Sequence, residues 1–503
     1  MLEDIIKERL KKIKELRQIG VDPYPEKANR QFTIGEVLNN FSSWSKTKKK
    51  ISLVGRIWSI RGHGGVMFCD VKDETGKLQL VLKTDILTGE KMKFFEKYFD
   101  LGDFIEAQGT LFITQKGEKS LLVNKFTLLT KSLRPLPKAW FGLEDAEERF
   151  RRRYLDLLEN EEVKKRFTLR SKIITEIRNF LNKDGYLEVE TPILQTIYGG
   201  ANAKPFLTKL EALNLKLYLR IAPELYLKRL LIGGFENIYE IGKNFRNEGL
   251  DREHNPEFTM MELYSAYKTR EDLMKLTKDL INHLTKTFKK DIDFEQGEKK
   301  GSAEPACAGR RSEAGSYKNP IINLPWQIID FEEFLKKKTG LDFESFLEQW
   351  LSKAKTLGIG GINPQASKEK IADDIFKKLR TEIKNPTFVI NQPLAISPLA
   401  KKRIDNSQQT SRFQLIINGW EIANGFSELN DPLDQKERFQ EQAKLREKGD
   451  LEAHPQDTDF IEALEYGMPP AAGLGIGIDR LVAVLTNAPS LKEVIFFPFM
   501  KLR

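Results

Sequence analysis

Two cysteines, Cys69 and Cys307, and four histidines are scattered over 503 residues. That is too few thiols for a disulfide framework, and no spacing gathers thiols and imidazoles into a metal cage. Such usage suits a reducing compartment, and a cytoplasmic location is expected. Long apolar runs are missing as well. Stretches such as Val494 to Phe497 fall far below the roughly 20 residues that a membrane-spanning helix needs. The opening Met1-Leu2-Glu3-Asp4-Ile5-Ile6-Lys7 is charged where a secretory leader would be apolar. No membrane partner is expected. Acidic excess is also absent: 82 Lys and Arg stand against 73 Asp and Glu, a formal net charge of +9, with an isoelectric point near 9.1. The balance suits a polyanionic partner, although many merely soluble proteins are equally basic.

Length alone predicts two to four domains. Residues 1–49 read as a basic helical extension. In it Ile5, Ile6, Leu10, Ile13, Leu16 and Ile19 form a stripe among Lys7, Arg9, Lys11, Lys12, Lys14 and Arg17, which serves docking, RNA contact or both. From 50 to 134, short alternating strands punctuated by Gly55, Gly62, Gly64, Gly76, Gly102 and Gly109 predict a small five-stranded barrel. Leu133-Arg134-Pro135-Leu136-Pro137 marks a boundary, 135–161 a linker, and the charge run Arg149 to Arg153 a solvated surface. Residues 162–503 read as one domain around an antiparallel sheet with flanking helices, an α+β arrangement. Residues 296–319 lack apolar periodicity and predict a disordered surface insertion.

Three segments of the larger domain carry chemistry. Phe245-Arg246-Asn247-Glu248, a charged loop with Asp251, Arg252, Glu253 and His254, and Phe258-Thr259-Met260-Met261-Glu262-Leu263-Tyr264 read as a hairpin. Alternation on its return strand puts Phe258, Met260, Glu262 and Tyr264 on one face and Thr259, Met261 and Leu263 on the other. An anionic, nucleotide-like ligand fits that set; a solvated hairpin with surface ion pairs is the plainer alternative. Gly473-Leu474-Gly475-Ile476-Gly477-Ile478-Asp479-Arg480-Leu481 reads as a strand with one face bare of side chains, open to a flat ligand. Asp479 is placed to cap the following helix and Arg480 lies in its first turn. Phe180 to Leu194 reads as a helix stopped near Gly185 and a strand ended by Pro192.

In this order the three segments resemble the motifs of class II aminoacyl-tRNA synthetases. Gly199-Gly200-Ala201, Ala222-Pro223-Glu224-Leu225-Tyr226-Leu227-Lys228 and Asn424-Gly425-Phe426-Ser427-Glu428-Leu429-Asn430-Asp431 resemble the lysyl-tRNA synthetases of bacterial type. The resemblance covers nearly the whole chain. It implies an antiparallel-sheet catalytic domain, an N-terminal OB-fold anticodon-binding barrel, and attachment of L-lysine to tRNA(Lys) through lysyl-adenylate. ATP, Mg2+ and tRNA(Lys) would be the partners and a homodimer the assembly, with Pro192 at the subunit contact. By the same resemblance Arg246 and Arg480 are catalytic, and Arg246, Glu248, His254, Asn255, Phe258, Glu421, Gly477 and Arg480 hold ATP. Gly200, Glu224, Glu262, Tyr264, Asn424, Phe426 and Glu428 hold lysine. Phe68 would stack an anticodon base that Gln79 reads, with Arg56 and Arg61 holding phosphate or a second base; Phe68 buried in a plain barrel core is the competing reading. Aspartyl- or asparaginyl-tRNA synthetase, or a non-catalytic OB-fold RNA-binding protein, remain the alternatives.

One position departs from the family pattern. Two glutamates seven residues apart would hold Mg2+; Glu421 is present, but the other position is Gln414. The Asn418-Gly419 turn predicts Ile417 opposite Trp420 and Ile416 opposite Glu421, with Gln414 on Glu421's face. Asn424, Phe426 and Glu428 share a strand parity that Glu421 breaks. A bulge near Ala423 to Gly425 is therefore expected.

Overall fold

The computed structural model describes residues 2–136, 145–294, 325–363, 366–447 and 453–501. The expected insertion at 296–319 and Cys307 lie outside the described residues. The chain divides into two compact units, Met1–Gly142 and Leu143–Arg503.

In the first unit a closed barrel is ordered β1-β2-β3-β5-β4, from β1 (Ile51–His63), β2 (Val66–Lys72), β3 (Lys77–Lys83), β4 (Phe104–Ile113) and β5 (Lys119–Thr130). Strand alternation turns Met67, Cys69 and Val71 inward, where they pack with Leu53, Leu80 and Ile105. The N-terminal helix Leu2–Gln18 docks through Arg9, Ile13 and Leu16. The expected stripe is therefore rotated, with Leu10 42% and Ile19 55% exposed. Arg9 is buried because its guanidinium finds carbonyls, donating to Ser132 O at 2.8 Å and Leu101 O at 3.1 Å.

The second unit is built on an eight-stranded sheet ordered β12-β13-β14-β15-β16-β11-β10-β6 and a small sheet ordered β7-β9-β8. Its strands are β6 (Leu187–Glu188), β7 (Leu194–Gln195), β8 (Leu207–Leu210), β9 (Leu215–Leu219), β10 (Asn237–Phe245) and β11 (Glu257–Ala266). They continue with β12 (Gln327–Asp330), β13 (Thr387–Ile390), β14 (Arg412–Ile417), β15 (Trp420–Ser427) and β16 (Ala471–Gly477). Only the outer pairs β12/β13 and β6/β10 of the large sheet are parallel. Helices Glu161–Lys183 and Arg270–Thr287 cover one face, packing Ile173, Ile177, Leu280 and Leu284 on Met261, Leu263, Leu474 and Ile476. The opposite face is left to form a cleft.

Arg149 to Arg153 does not form a solvated run. Arg153 is fully buried, with Nη1 on Asp156 at 2.6 Å, Nη2 on Lys492 O at 2.6 Å and Nε on Phe496 O at 3.1 Å. Five guanidinium donors can satisfy carbonyls and a carboxylate at once, so the helix Arg153–Glu159 is clamped to the unit's C-terminal segment. Among the described residues no helix is long and apolar enough to cross a membrane.

Candidate active site

The open face of the sheet carries a cavity of about 770 Å3 lined from β11, β14, β15, β16 and the β10–β11 loop. Asn244 pairs with Phe258 and Glu240 with Glu262, so the return strand presents Phe258, Met260, Glu262 and Tyr264 to the cavity as its alternation predicts. Asp251 organises the loop, accepting from Glu253 N at 2.6 Å, His254 N at 2.8 Å and His254 Nδ1 at 2.8 Å. Burial alone would raise the Asp251 carboxyl, but these donors hold it below its ordinary value. The Arg246 guanidinium lies 5.0 Å from the centre of the Phe258 ring, and its Nε donates to Ile221 O at 3.4 Å. Glu248 lines the cavity. Asn255 borders it too, but its side chain clamps the loop, with Nδ2 on Glu257 O at 2.5 Å and Oδ1 taking Phe499 N at 3.4 Å.

On the facing hairpin the Asn418-Gly419 turn has φ of +50° and +81°, and Ile417/Trp420 and Ile416/Glu421 pair as expected. The bulge falls one residue before its expected place: Leu415 pairs with Ala423 and Gln414 with Asn424, leaving Ile422 as the extra residue. That insertion brings Glu421 onto the face of Gln414, Asn424 and Phe426. Arg380, from the element after helix Lys368–Leu379, bridges Glu421 Oε2 at 2.8 Å and Glu253 Oε2 at 2.9 Å. Burial pushes the Glu421 carboxyl up, but Arg380, Arg480 and Arg412 together hold it below its ordinary value. Gln414 is 5% exposed, and its Oε1 has no protein partner. Among the described residues no group of three or more His, Cys, Asp or Glu side chains forms a metal cage.

Gly473, Gly475 and Gly477 of β16 border the cavity, as the bare strand face predicts. A Cβ on Gly473 would overlap Glu428 Oε1 and the Tyr264 ring, and one on Gly475 would overlap Met260 Cε. Two of these glycines thus also make room for neighbouring side chains, and the atoms nearest a Cβ on Gly477 belong to the Arg480 side chain, from 3.6 Å. Asp479 does not cap its helix, Ile478–Leu485, whose N-cap is Gly477. Being inside the first turn, it instead takes Arg170 Nη1 at 2.6 Å and Thr259 N at 2.8 Å, tying β11 to the helix. Arg480 crosses back to Glu421 O at 3.2 Å, with Nη2 3.4 Å from His254 Nε2.

The acidic end of the cavity holds Glu224 and Glu262 on its wall, with Glu428 buried behind it. Burial, then the Glu224 charge, pushes Glu262 up to about 8, against hydrogen bonding from Tyr264 Oη at 3.2 Å. Lys228, which the sequence did not single out as a site residue, lies between the other two, 2.6 Å from Glu224 Oε1 and 2.5 Å from Glu428 Oε2. Burial raises both carboxyls and Lys228 opposes it. Burial and the nearby Lys228 keep His454 neutral, pushed down to about 4. Gly200, at φ +85°, borders the same end, where a Cβ would press on Glu224 Cβ at 2.8 Å. Asn424 Oδ1 accepts Arg412 Nε at 2.8 Å, and the Phe426 ring centre lies 5.5 Å from Lys228 Nζ. Lys228, Arg380, Arg412 and His454 are thus additions to the set expected from sequence. Only Lys228 had a signal, its spacing of four from Glu224.

In the barrel, Phe68 is half-buried on the outer face and is not a core residue. Asp70 pairs with Gln79 and Arg61 with Phe68, so these side chains share that face. Gln79 accepts Ser120 Oγ at 3.0 Å, Arg61 lies 3.5 Å from Asp70, and Arg56 stacks 4.3 Å over Phe104.

An antiparallel sheet with an arginine-bearing hairpin, a facing acidic strand and a glycine strand leading into an arginine helix is the frame of a class II synthetase. Residues 145–501 match the family described as tRNA synthetases class II (D, K and N), and residues 51–129 match the OB-fold nucleic acid binding domain. The chain is 47% identical over 506 residues to the lysine--tRNA ligase of Carboxydothermus hydrogenoformans, covering 100% of this chain and 99% of that protein. Identity to the Thermotoga maritima lysine--tRNA ligase is 44% over 508 residues, covering 100% and 97%, and to the Aquifex aeolicus one 48% over 457 residues, covering 90% and 73%. The chain belongs to the lysine--tRNA ligase family of class II synthetases.

Proposed function

We infer that this chain joins L-lysine to tRNA(Lys) for translation, using ATP, in the cytoplasm. The observation that carries this reading is the cluster of buried carboxylates Glu224, Glu262 and Glu428 at one end of a cleft whose nucleotide end is lined by Arg246, Arg480 and Phe258. A lysine ammonium desolvated there finds carboxylate acceptors, whereas an aspartate side chain would be repelled.

The lysine carboxylate, ionised because an α-carboxyl titrates near roughly 3.5, attacks the α-phosphorus. The oxygen–phosphorus bond of the adenylate forms as pyrophosphate leaves. A terminal ribose hydroxyl of tRNA then attacks the carbonyl and releases AMP. Rate enhancement in the first step comes from positioning and charge. Arg246 holds the lysine carboxylate against the α-phosphate, Phe258 stacks adenine, Glu248 and His254 contact the nucleotide, and Arg480 holds the distal phosphates or the adenine edge. Gly200 and Glu224 receive the α-ammonium; Glu262, Tyr264 and Glu428 receive the side chain, walled by Asn424 and Phe426. Glu421 and the unpartnered Gln414 oxygen fit Mg2+ as oxygen donors. When bound, Mg2+ offsets charge on the ATP phosphates. Phe68, Gln79, Arg56 and Arg61 form the anticodon face. A homodimer belongs to the same reading, supported by exposed apolar Leu187, Ile193 and Leu194 around Pro192.

Pyrophosphate exchange into ATP, run with each standard amino acid, tests the assignment. Lysine alone should support rapid exchange, and preferential exchange with aspartate or asparagine would overturn it.

A further inference from the structure

Lys228 raises a question the reaction does not answer: why a lysine pocket contains a lysine of its own. Its side chain is fully buried one helical turn after Glu224, and its ammonium touches one oxygen of Glu224 and one of Glu428. Both Glu428 oxygens are buried without a well-aligned hydrogen bond: Oε2 holds the ion pair with Lys228, and Oε1 lies beside Gly473 and the Tyr264 ring. Removing three neighbouring carboxylates from water with no cation would favour their neutral forms. One built-in cation leaves the cluster two negative charges when all three are ionised, matching the two ammonium groups of free lysine. The substrate carboxylate is left to Arg246.

We propose that Lys228 is a positioning residue for amino-acid recognition, an internal ammonium that bridges Glu224 and Glu428 and aims the remaining oxygen of each at the α- and ε-ammonium groups of the substrate. The proposal rests on the assignment of these carboxylates to lysine binding. It predicts a selective role: Lys228 sets affinity for the two ammonium ends and leaves the nucleotide end alone.

Exchange kinetics of the full chain test this with Lys228→Met, Lys228→Arg, Glu262→Gln and Glu428→Gln, each checked for folding by its thermal midpoint. Lys228→Met should raise KM for lysine about 10- to 100-fold, the effect of losing a charged hydrogen-bond partner, with KM for ATP changed less than about threefold. Competitive inhibition by cadaverine, which has two ammonium groups and no carboxylate, should weaken by the same factor. Lys228→Arg should restore part of the loss. An unchanged or lowered KM for lysine, or parallel rises for lysine and ATP, overturns the proposal. Should Lys228→Met not fold, Lys228→Gln keeps a polar donor at the site and carries the same criteria. If Glu262→Gln and Glu428→Gln also leave lysine binding untouched, the pocket assignment itself fails. If they weaken it while the folded Lys228 variant does not, only the role of Lys228 fails.

Discussion

With Glu262 assigned to the substrate's side-chain ammonium, a carboxyl pushed up to about 8 would link lysine binding to proton release. Glu262 is held up to about 8 by burial and the Glu224 charge, so below that pH it carries a proton which an arriving ammonium must displace. The sign follows: lysine binds more tightly as pH rises toward 8 and levels off above it, by up to about tenfold per unit for one proton. For the free protein the slope reverses, because a raised carboxyl makes the folded state bind more protons. Its stabilising effect is complete below the unfolded value and is lost as pH rises through about 8. Calorimetry of lysine binding at pH 7 in buffers of different ionisation enthalpy should show proton release, which Glu262→Gln should reduce; no release in the parent protein would refute the linkage. Gln414 makes a second case at this scale. Its unpartnered oxygen can donate to Mg2+ without offsetting charge, so Gln414→Glu should lower the Mg2+ concentration for half-maximal exchange, whereas Glu421→Gln should abolish exchange. An unchanged Mg2+ titration in the first variant, or surviving exchange in the second, counts against this account of the metal donors.

Among elements, β16 shows how a strand can serve a site by what it omits. Gly473 lies opposite both Tyr264 and Phe426, and its missing Cβ is the space filled by the Tyr264 ring and Glu428. Gly473→Ala should therefore cost roughly 1–3 kcal/mol of stability by overpacking and raise KM for lysine more than KM for ATP. Denaturant unfolding and exchange kinetics measure both, and equal rises would place the damage elsewhere. The glycine periodicity and the bare face it turns to the cavity are legible in sequence; the room it also makes for Tyr264, Glu428 and Met260 is not, because a strand pattern does not say which side chains the neighbouring strands will lend. Alternation fixed the faces of β11, and Asn418-Gly419 fixed the pairing nearest its turn. The bulge was displaced by one residue because Ile422-Ala423-Asn424 contains no local signal for an extra residue. Asp479 looks like a cap in the local Gly-Ile-Asp sequence, but its partners, Arg170 and Thr259, are hundreds of positions away and leave no local signal. Glu224 and Lys228 have the spacing of an ordinary surface helix pair. Only packing against Phe426, Glu428 and their neighbours makes it an internal one.

At the scale of the molecule, adenylate chemistry and RNA recognition are assigned to separate units, so the two activities should be separable. Every residue proposed to touch lysine or ATP lies in Leu143–Arg503, while Phe68, Gln79, Arg56 and Arg61 lie in Met1–Gly142. The half-buried Phe68 offers a ring to an unpaired base without being needed in the barrel core, where Met67, Cys69 and Val71 supply the inward contacts. Phe68→Ala should then weaken tRNA(Lys) binding by roughly 1–3 kcal/mol, the usual worth of one stacked base. Lysine-dependent exchange should stay within about threefold of the parent, because no group at the reacting centre changes. A chain beginning at Asp145 should show the same division more severely, retaining exchange and losing most charging at limiting tRNA. Charging and exchange measured side by side decide the matter. Normal charging of limiting tRNA by Phe68→Ala would remove the stacking role, and a parallel fall in exchange would mean that the barrel is needed for adenylate formation as well as for RNA binding.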